Sequence, residues 1–318
     1  MNIFENAKPC EAGVPDENMR SFFGRIENLP FCVHSVIMIR GQKVFAERYY
    51  DSFDKDTLQR MYSVTKSFVS LAVLSLASEG KISLDDYITT YFPEYPTPYE
   101  YTKKTTIRNM LMMRSPHDRT TYKRNLEGNW AESFFSTEPS HMPGTVFKYD
   151  SSASHTLGAL VEKLADKPVL DYLRDKFLDK MGFSENAYCL TDPQGISRGA
   201  DGLMATAMDI AKTAFFVMNG GILDGEQIIS GGLIKEAISC LTATGTHGHF
   251  EYEKQGYGLQ FWRTLNNGFM MYGKGGQIAL CLPDKDFILV TTADSMDNDG
   301  GTQNILEIFW QEIYGSLN

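Results

Sequence analysis

The chain has 318 residues, of which 42% are hydrophobic and 22% charged, and its formal net charge is −10. That is one or two globular domains burying roughly three quarters of their unfolded surface, so a mainly disordered chain and a fold dependent on disulfides or a structural metal are both excluded. The acidic balance argues against a broad nucleic-acid or phosphate-binding face.

In chain order, residues 16–26 place Met19, Phe22, Phe23 and Ile26 on one helical face. Two β-rich runs, 34–40 and 43–50, flank Gly41-Gln42 and read as a hairpin. From Ser63 to near Gly80 the apolar residues suit a helix buried on most sides, with Gly80 as a C-cap. Residues 114–148 are polar, contain Pro116, Gly128, Pro139, Pro143 and Gly144, and read as a long loop that carries function or wraps a site. Helical spacing returns at 154–166, at 168–181 with Pro168 in its first turn, and at 204–219. Short apolar strands are expected at 256–262, 267–273, 277–283 and 286–294, then a final helix at 301–315 with Ile305, Phe309, Trp310 and Ile313 on one face. Strands near both ends around a helical middle predict one antiparallel sheet built from 1–62 together with 245–318, with 63–244 inserted as a mainly helical region.

The five cysteines are odd in number, widely spaced and without CxxC, so five reduced thiols are expected rather than a zinc ribbon or a thioredoxin-type site. The N-terminus lacks a basic start followed by an apolar core, and no apolar run reaches the roughly 18 residues of a membrane span. A cytoplasmic protein with no membrane and no nucleic-acid partner is therefore expected.

There is no GxSxG, HExxH, Walker loop or GxGxxG, which disfavours an α/β-hydrolase, a zincin or a nucleotide enzyme. SxxK occurs three times, at Ser52-Lys55, Ser63-Lys66 and Ser78-Lys81, where average composition gives about one by chance. Context separates them. Lys55 lies in an acidic loop that keeps it charged, and Ser78-Lys81 crosses a helix end. Ser63-Lys66 opens the most apolar helix, where first-turn N–H groups favour developing negative charge and the i, i+3 spacing puts both side chains on one face. Burial there lowers a lysine pKa toward that of a base. The plainer alternative is a helix-capping serine and a lysine that snorkels to solvent.

Other segments join this motif. The stretches MYSVTKSFVSLAVLSLASEGKISLDD, TTIRNMLMMRS, PGTVFKYDSSASHTLGALVEKL, GADGLMATAMDIAKTAFFVMNGG and YGKGGQIALCLPDKDFILVTTAD follow one another from residue 61 onward. Together they resemble the serine β-lactamase and penicillin-binding-protein superfamily, in its class C-like branch with esterases, D-amino-acid peptidases and nylon-oligomer hydrolases. The resemblance implies an α/β (α+β) β-lactamase/transpeptidase-like fold: an antiparallel sheet from both chain ends, flanked by helices, with a helical lobe inserted. It also implies Ser63 as nucleophile, Lys66 as motif lysine and Tyr149 as the tyrosine sharing its proton, with the phenolate favoured beside Lys66⁺. Ser151 stands where class C enzymes have Asn, which points toward the esterase-like members. The third motif fits in two registers. Met271-Tyr272-Gly273 makes the Lys274 N–H, with that of Ser63, the oxyanion hole; Lys274-Gly275-Gly276 makes the Lys274 side chain the motif cation. The implied function is a serine hydrolase acting on a small ester or amide through an acyl-enzyme, with no cofactor or metal. A β-lactamase or D-Ala-type peptidase, and a catalytically weak binding or assembly protein, are the alternatives.

Weaker features are read as structural. His247, His249, Glu251 and Glu253 alternate like zinc ligands but sit in a polar loop. The Asp294–Asp299 cluster lacks calcium-loop spacing. His117, Tyr122, Trp130 and Phe134 either shape an acyl pocket or simply pack, and Met112 and Met113 read as core.

Overall fold

The computed structural model describes residues 3–245, 251–296 and 301–317. Its main sheet has seven strands, in the order Glu5–Asn6, Lys43–Tyr49, Cys32–Arg40, Phe287–Asp294, Gln277–Leu282, Phe269–Gly273 and Trp262–Arg263. All neighbours are antiparallel except the short first strand, which runs parallel to Lys43–Tyr49. The two chain ends meet at the centre, where Cys32–Arg40 pairs with Phe287–Asp294. Both of these strands carry an unbroken apolar run, Val36–Ile39 and Phe287–Val290, because both sheet faces are covered. Ile37, Ile39, Ile288 and Val290 face the cluster around the Val64–Ser78 helix. Val36, Met38, Phe287 and Leu289 face the cluster with the Asp16–Glu27 and Gly301–Glu312 helices.

The Val64–Ser78 helix is the axis of the molecule. Every side chain from Val64 to Leu76 is buried, between the sheet and the Ser151–Ala165 and Val169–Leu173 helices. Beside it lies a small sheet of Gln59–Arg60, Leu203–Ala205 and Tyr188–Cys189. This sheet ties the residues before Ser63 to the segment after Ala200: Met61 N donates to Leu203 O at 2.8 Å and Leu203 N to Thr65 Oγ1 at 3.1 Å.

Several expected elements shift. The helix expected from 204 begins at Ala207, because 203–205 is a strand and Thr206 forms a capping box with Asp209. The 168–181 segment is α-helical only over Val169–Leu173, then widens into a π-type turn over Arg174–Leu178, with Pro168 just ahead of the helix. Residues 114–148 are not all loop: Trp130–Ser136 is a helix capped by Asn129, and Thr121–Arg124 is a 3₁₀ turn. The final helix ends at Glu312. Of 256–262, only Trp262 belongs to a sheet strand. Its backbone bonds to the central helix instead, through Ser67 Oγ to Gln260 O at 2.8 Å and Ser70 Oγ to Leu259 O at 2.6 Å. Gly258 is needed there, since a Cβ would lie 2.0 Å from Ala237 O.

Among the described residues no helix is long and apolar enough to cross a membrane. His247 and His249 lie outside the described residues, as do the positions following Met296 in the aspartate cluster; Glu251 pairs with Lys254 at 2.7 Å.

Candidate active site

Ser63 stands at the N-cap of the central helix but makes no side-chain cap bond, so its hydroxyl is left for other partners. The residue before it, Tyr62, has φ +44°, an unfavourable value for a non-glycine residue that costs about 1–2 kcal/mol. The turn is locked by Val64 N to Met61 O at 3.1 Å and Thr65 Oγ1 to Tyr62 O at 2.6 Å. These bonds hold the hydroxyl at the head of the helix.

Lys66 is one turn on and only 1% exposed, so it does not snorkel. Its Nζ lies 3.0 Å from Ser63 Oγ and donates to Ala200 O at 2.7 Å. Burial lowers its pKa from 10.5 to about 7, and the Asp201 and Asp150 carboxylates only partly oppose this.

Tyr149 reaches the same point from the turn before the Ser151–Ala165 helix. Its ring centroid is 5.0 Å from Lys66 Nζ, it stacks on Trp262 at 5.6 Å and meets Tyr257 edge-on at 6.3 Å. The expected phenolate is not favoured. Burial drives the phenol pKa well up, against a smaller opposite pull from Ser63. The same burial strips Lys66 of the charge that would have stabilised an anion, so both members are neutral near pH 8.

Asp150 caps the helix that follows Tyr149, and its backbone and side chain join three segments. Its carboxylate accepts from Ser152 N at 2.8 Å, from the Ser152 hydroxyl, and from Ser115 Oγ at 2.8 Å. Ser152 Oγ accepts from Thr121 N at 3.3 Å. Burial raises the Asp150 pKa to about 6 despite these donors. Ser151 begins the helix, donates its N–H to Thr120 Oγ1 at 3.3 Å and interacts with the Tyr122 hydroxyl.

On the opposite wall, Phe269–Gly273 ends at Gly273, and Lys274 is the exposed first residue of the reversal to Gln277. A Cβ on Gly273 would lie 2.4 Å from Met61 O and 3.2 Å from Ser63 N, so only glycine lets the strand end pass the Ser63 amide. Neither the Ser63 N–H nor the Lys274 N–H has a hydrogen-bond partner among the described residues. Met271, Tyr272 and Gly273 thus lie on the strand that ends at this approach, and Lys274 lies in the turn that follows it.

Residues 34–308 match the Beta-lactamase family model. The chain belongs to the Beta-lactamase family. It is an enzyme of the serine β-lactamase and penicillin-binding-protein-like superfamily. The chain is similar to 6-aminohexanoate-dimer hydrolase from Paenarthrobacter ureafaciens, with 24% identity over 292 residues covering 84% of this chain and 74% of that protein. It is also similar to Protein flp from Staphylococcus aureus (strain MW2), with 25% identity over 174 residues, 50% of this chain and 35% of that protein. The chain thus spans about a third of flp. Among solved structures, EstCE1, a hydrolase with promiscuous acyltransferase activity, superposes with a TM-score of 0.74 at 16% identity, covering 92% of this chain and 98% of that one. That likeness shows the shared fold.

In this Beta-lactamase-family chain, several residues near the site carry no sequence motif. Trp262 and Tyr257 make the aromatic wall behind Tyr149, and the contact that holds Lys66 is the carbonyl of Ala200. A carbonyl is invisible to residue type, although Ala200 sits in the GADGL stretch. Tyr122 and Trp130 stack on each other at 4.1 Å, and the buried His117 bonds to Phe134 O at 2.9 Å, so these side chains pack. Met113 is fully buried, and Met112 is partly buried against the core.

Proposed function

We propose that the protein is a serine hydrolase that cleaves a small ester or short amide through an acyl-enzyme on Ser63. The observation that carries this reading is the buried Lys66 amine, 3.0 Å from Ser63 Oγ and with its pKa lowered to about 7. As a neutral amine it accepts the Ser63 proton while Oγ adds to the substrate carbonyl carbon. The carbonyl π electrons move to the oxygen, and the Ser63 and Lys274 N–H groups, both without a partner among the described residues, receive the oxyanion. Collapse re-forms the carbonyl and expels the alcohol or amine. Tyr149, a neutral phenol in contact with Ser63, gives its proton to that leaving group and recovers one from Lys66. Water then adds to the acyl-enzyme by the same path in reverse, releasing the acid and free Ser63. Ser151, at the start of the adjoining helix, borders the acyl group.

The test is a fluorophosphonate probe together with p-nitrophenyl butyrate, nitrocefin and the Ser63→Ala variant. Labelling and butyrate hydrolysis that both vanish in Ser63→Ala, with ester turnover above nitrocefin turnover, are the expected result. Labelling or turnover that persists in Ser63→Ala overturns the assignment of the nucleophile, and faster nitrocefin turnover overturns the ester or amide assignment.

A further inference from the structure

Next to the Ser63–Lys66 pair lies a group of charges that the acyl-enzyme chemistry leaves unused. Asp201 follows Ala200, the residue whose carbonyl holds Lys66. Two guanidiniums converge on it. Arg198 forks onto the carboxylate through Nε to Oδ1 at 3.0 Å and Nη2 to Oδ2 at 2.7 Å. Arg60 bonds through Nη2 to Oδ2 at 2.9 Å and through Nε to Asp201 O at 3.1 Å. Each cation is braced by a ring: Arg60 lies 4.8 Å from the Tyr62 ring centroid, and Arg198 lies 5.2 Å from that of Trp130.

Two cations face one anion here, on a chain whose net charge is −10. A guanidinium has five N–H donors in a fixed fork. The Nη1 group of neither arginine has a protein partner among the described residues, so its two N–H donors and the second Nη2 N–H of each arginine remain. The three side chains are also open to solvent, at 32% for Arg60, 25% for Arg198 and 29% for Asp201. The free N–H groups form a planar, carboxylate-matched set of donors at the edge of the site.

We propose that Arg60 and Arg198 form an anion subsite, which selects esters or amides whose acyl part carries a carboxylate a few bonds from the scissile carbonyl. This rests on Ser63 as the nucleophile. In the proposed chemistry Tyr149 serves the leaving group, and the proposal places the carboxylate on the other, acyl part. Asp201 occupies part of the two forks and competes with a substrate carboxylate for them.

The test compares mono-p-nitrophenyl glutarate with p-nitrophenyl butyrate, which share a leaving group and differ in acyl charge. The wild type should favour glutarate at least ten-fold in kcat/KM, and 0.5 M NaCl should shrink that ratio. Arg60→Gln and Arg198→Gln should bring the ratio toward one. Asp201→Asn separates recognition from mere support. If the arginines recognise substrate, removing the competing carboxylate keeps or raises the glutarate preference. If they only position Asp201, this variant loses the preference as the arginine variants do, and the proposal is overturned. A wild-type ratio of one or less also overturns it. Binding of glutaramate against butyramide by titration calorimetry gives the same comparison without turnover. Ser63 labelling with equal binding of the two amides defeats the subsite alone. Tighter glutaramate binding without Ser63 labelling supports the subsite and defeats the nucleophile assignment.

Discussion

Replacing Lys66 by methionine tests the central electrostatic claim, because the structure sets both the size and the sign of its effect on stability. Burial lowers the lysine pKa from 10.5 to about 7, and a displacement of that size corresponds to about 5 kcal/mol against the charged form. Between those two values the unfolded chain holds a proton that the folded protein has released. Wild-type stability therefore rises with pH across this window and carries the full penalty below pH 7. Methionine removes the penalty but also removes the donor to Ala200 O, which costs about 1–3 kcal/mol at every pH. The variant should thus be more stable than wild type at pH 6, by about 2–4 kcal/mol, and less stable at pH 10. Urea unfolding of both proteins at pH 6, 8 and 10 measures the difference. A difference that stays constant across pH would show that Lys66 keeps an ordinary pKa, and the base role would fall with it. In the same preparation, ester turnover should drop at least about 10²-fold in the variant, and wild-type kcat/KM should climb through an apparent pKa near 7.

Two further predictions follow from the walls of the site. Lys274→Pro removes one oxyanion donor and should lower kcat by about 10²–10³, while Lys274→Ala keeps the amide and should lose far less; equal losses in stopped assays of p-nitrophenyl butyrate hydrolysis would restore the side-chain register. Asp150, whose pKa is raised to about 6 by burial, is most easily accommodated when protonated, so its contribution falls as pH rises from about 4 through 6. Asp150→Asn, which retains an acceptor for Ser152 N, should therefore gain thermal stability relative to wild type at pH 8 and not at pH 4; a gain of the same size at both would contradict the buried charge.

Local sequence carries much of this molecule. The apolar run after Ser63 reads as a helix buried on most sides, and the runs at 34–40, 277–283 and 286–294 read as strands, as the fold has them. Where the reading slipped, distant groups overrode local pattern. Residues 256–262 are apolar and alternate like a strand, yet their carbonyls are taken by Ser67 and Ser70 of the central helix. Residues 203–205 look like the start of a helix, yet they pair with Gln59–Arg60.

The site divides in the same way. Ser63 and Lys66 share a helical face by their spacing alone, a local relation that backbone geometry dictates, whereas Tyr149 and Ser151 are marked only through the resemblance to the family's motif. The properties that make the group reactive are not local. Lys66 loses its charge because burial disfavours the ammonium, although its amine still finds a carbonyl 134 positions away to bond to. Tyr149 stays neutral because Trp262 and Tyr257 wall it off from water. Gly273 comes within reach of the Ser63 amide only once the last strands are folded against the first. Desolvation and close approach depend on what surrounds a residue in space, and that environment exists only in the assembled fold.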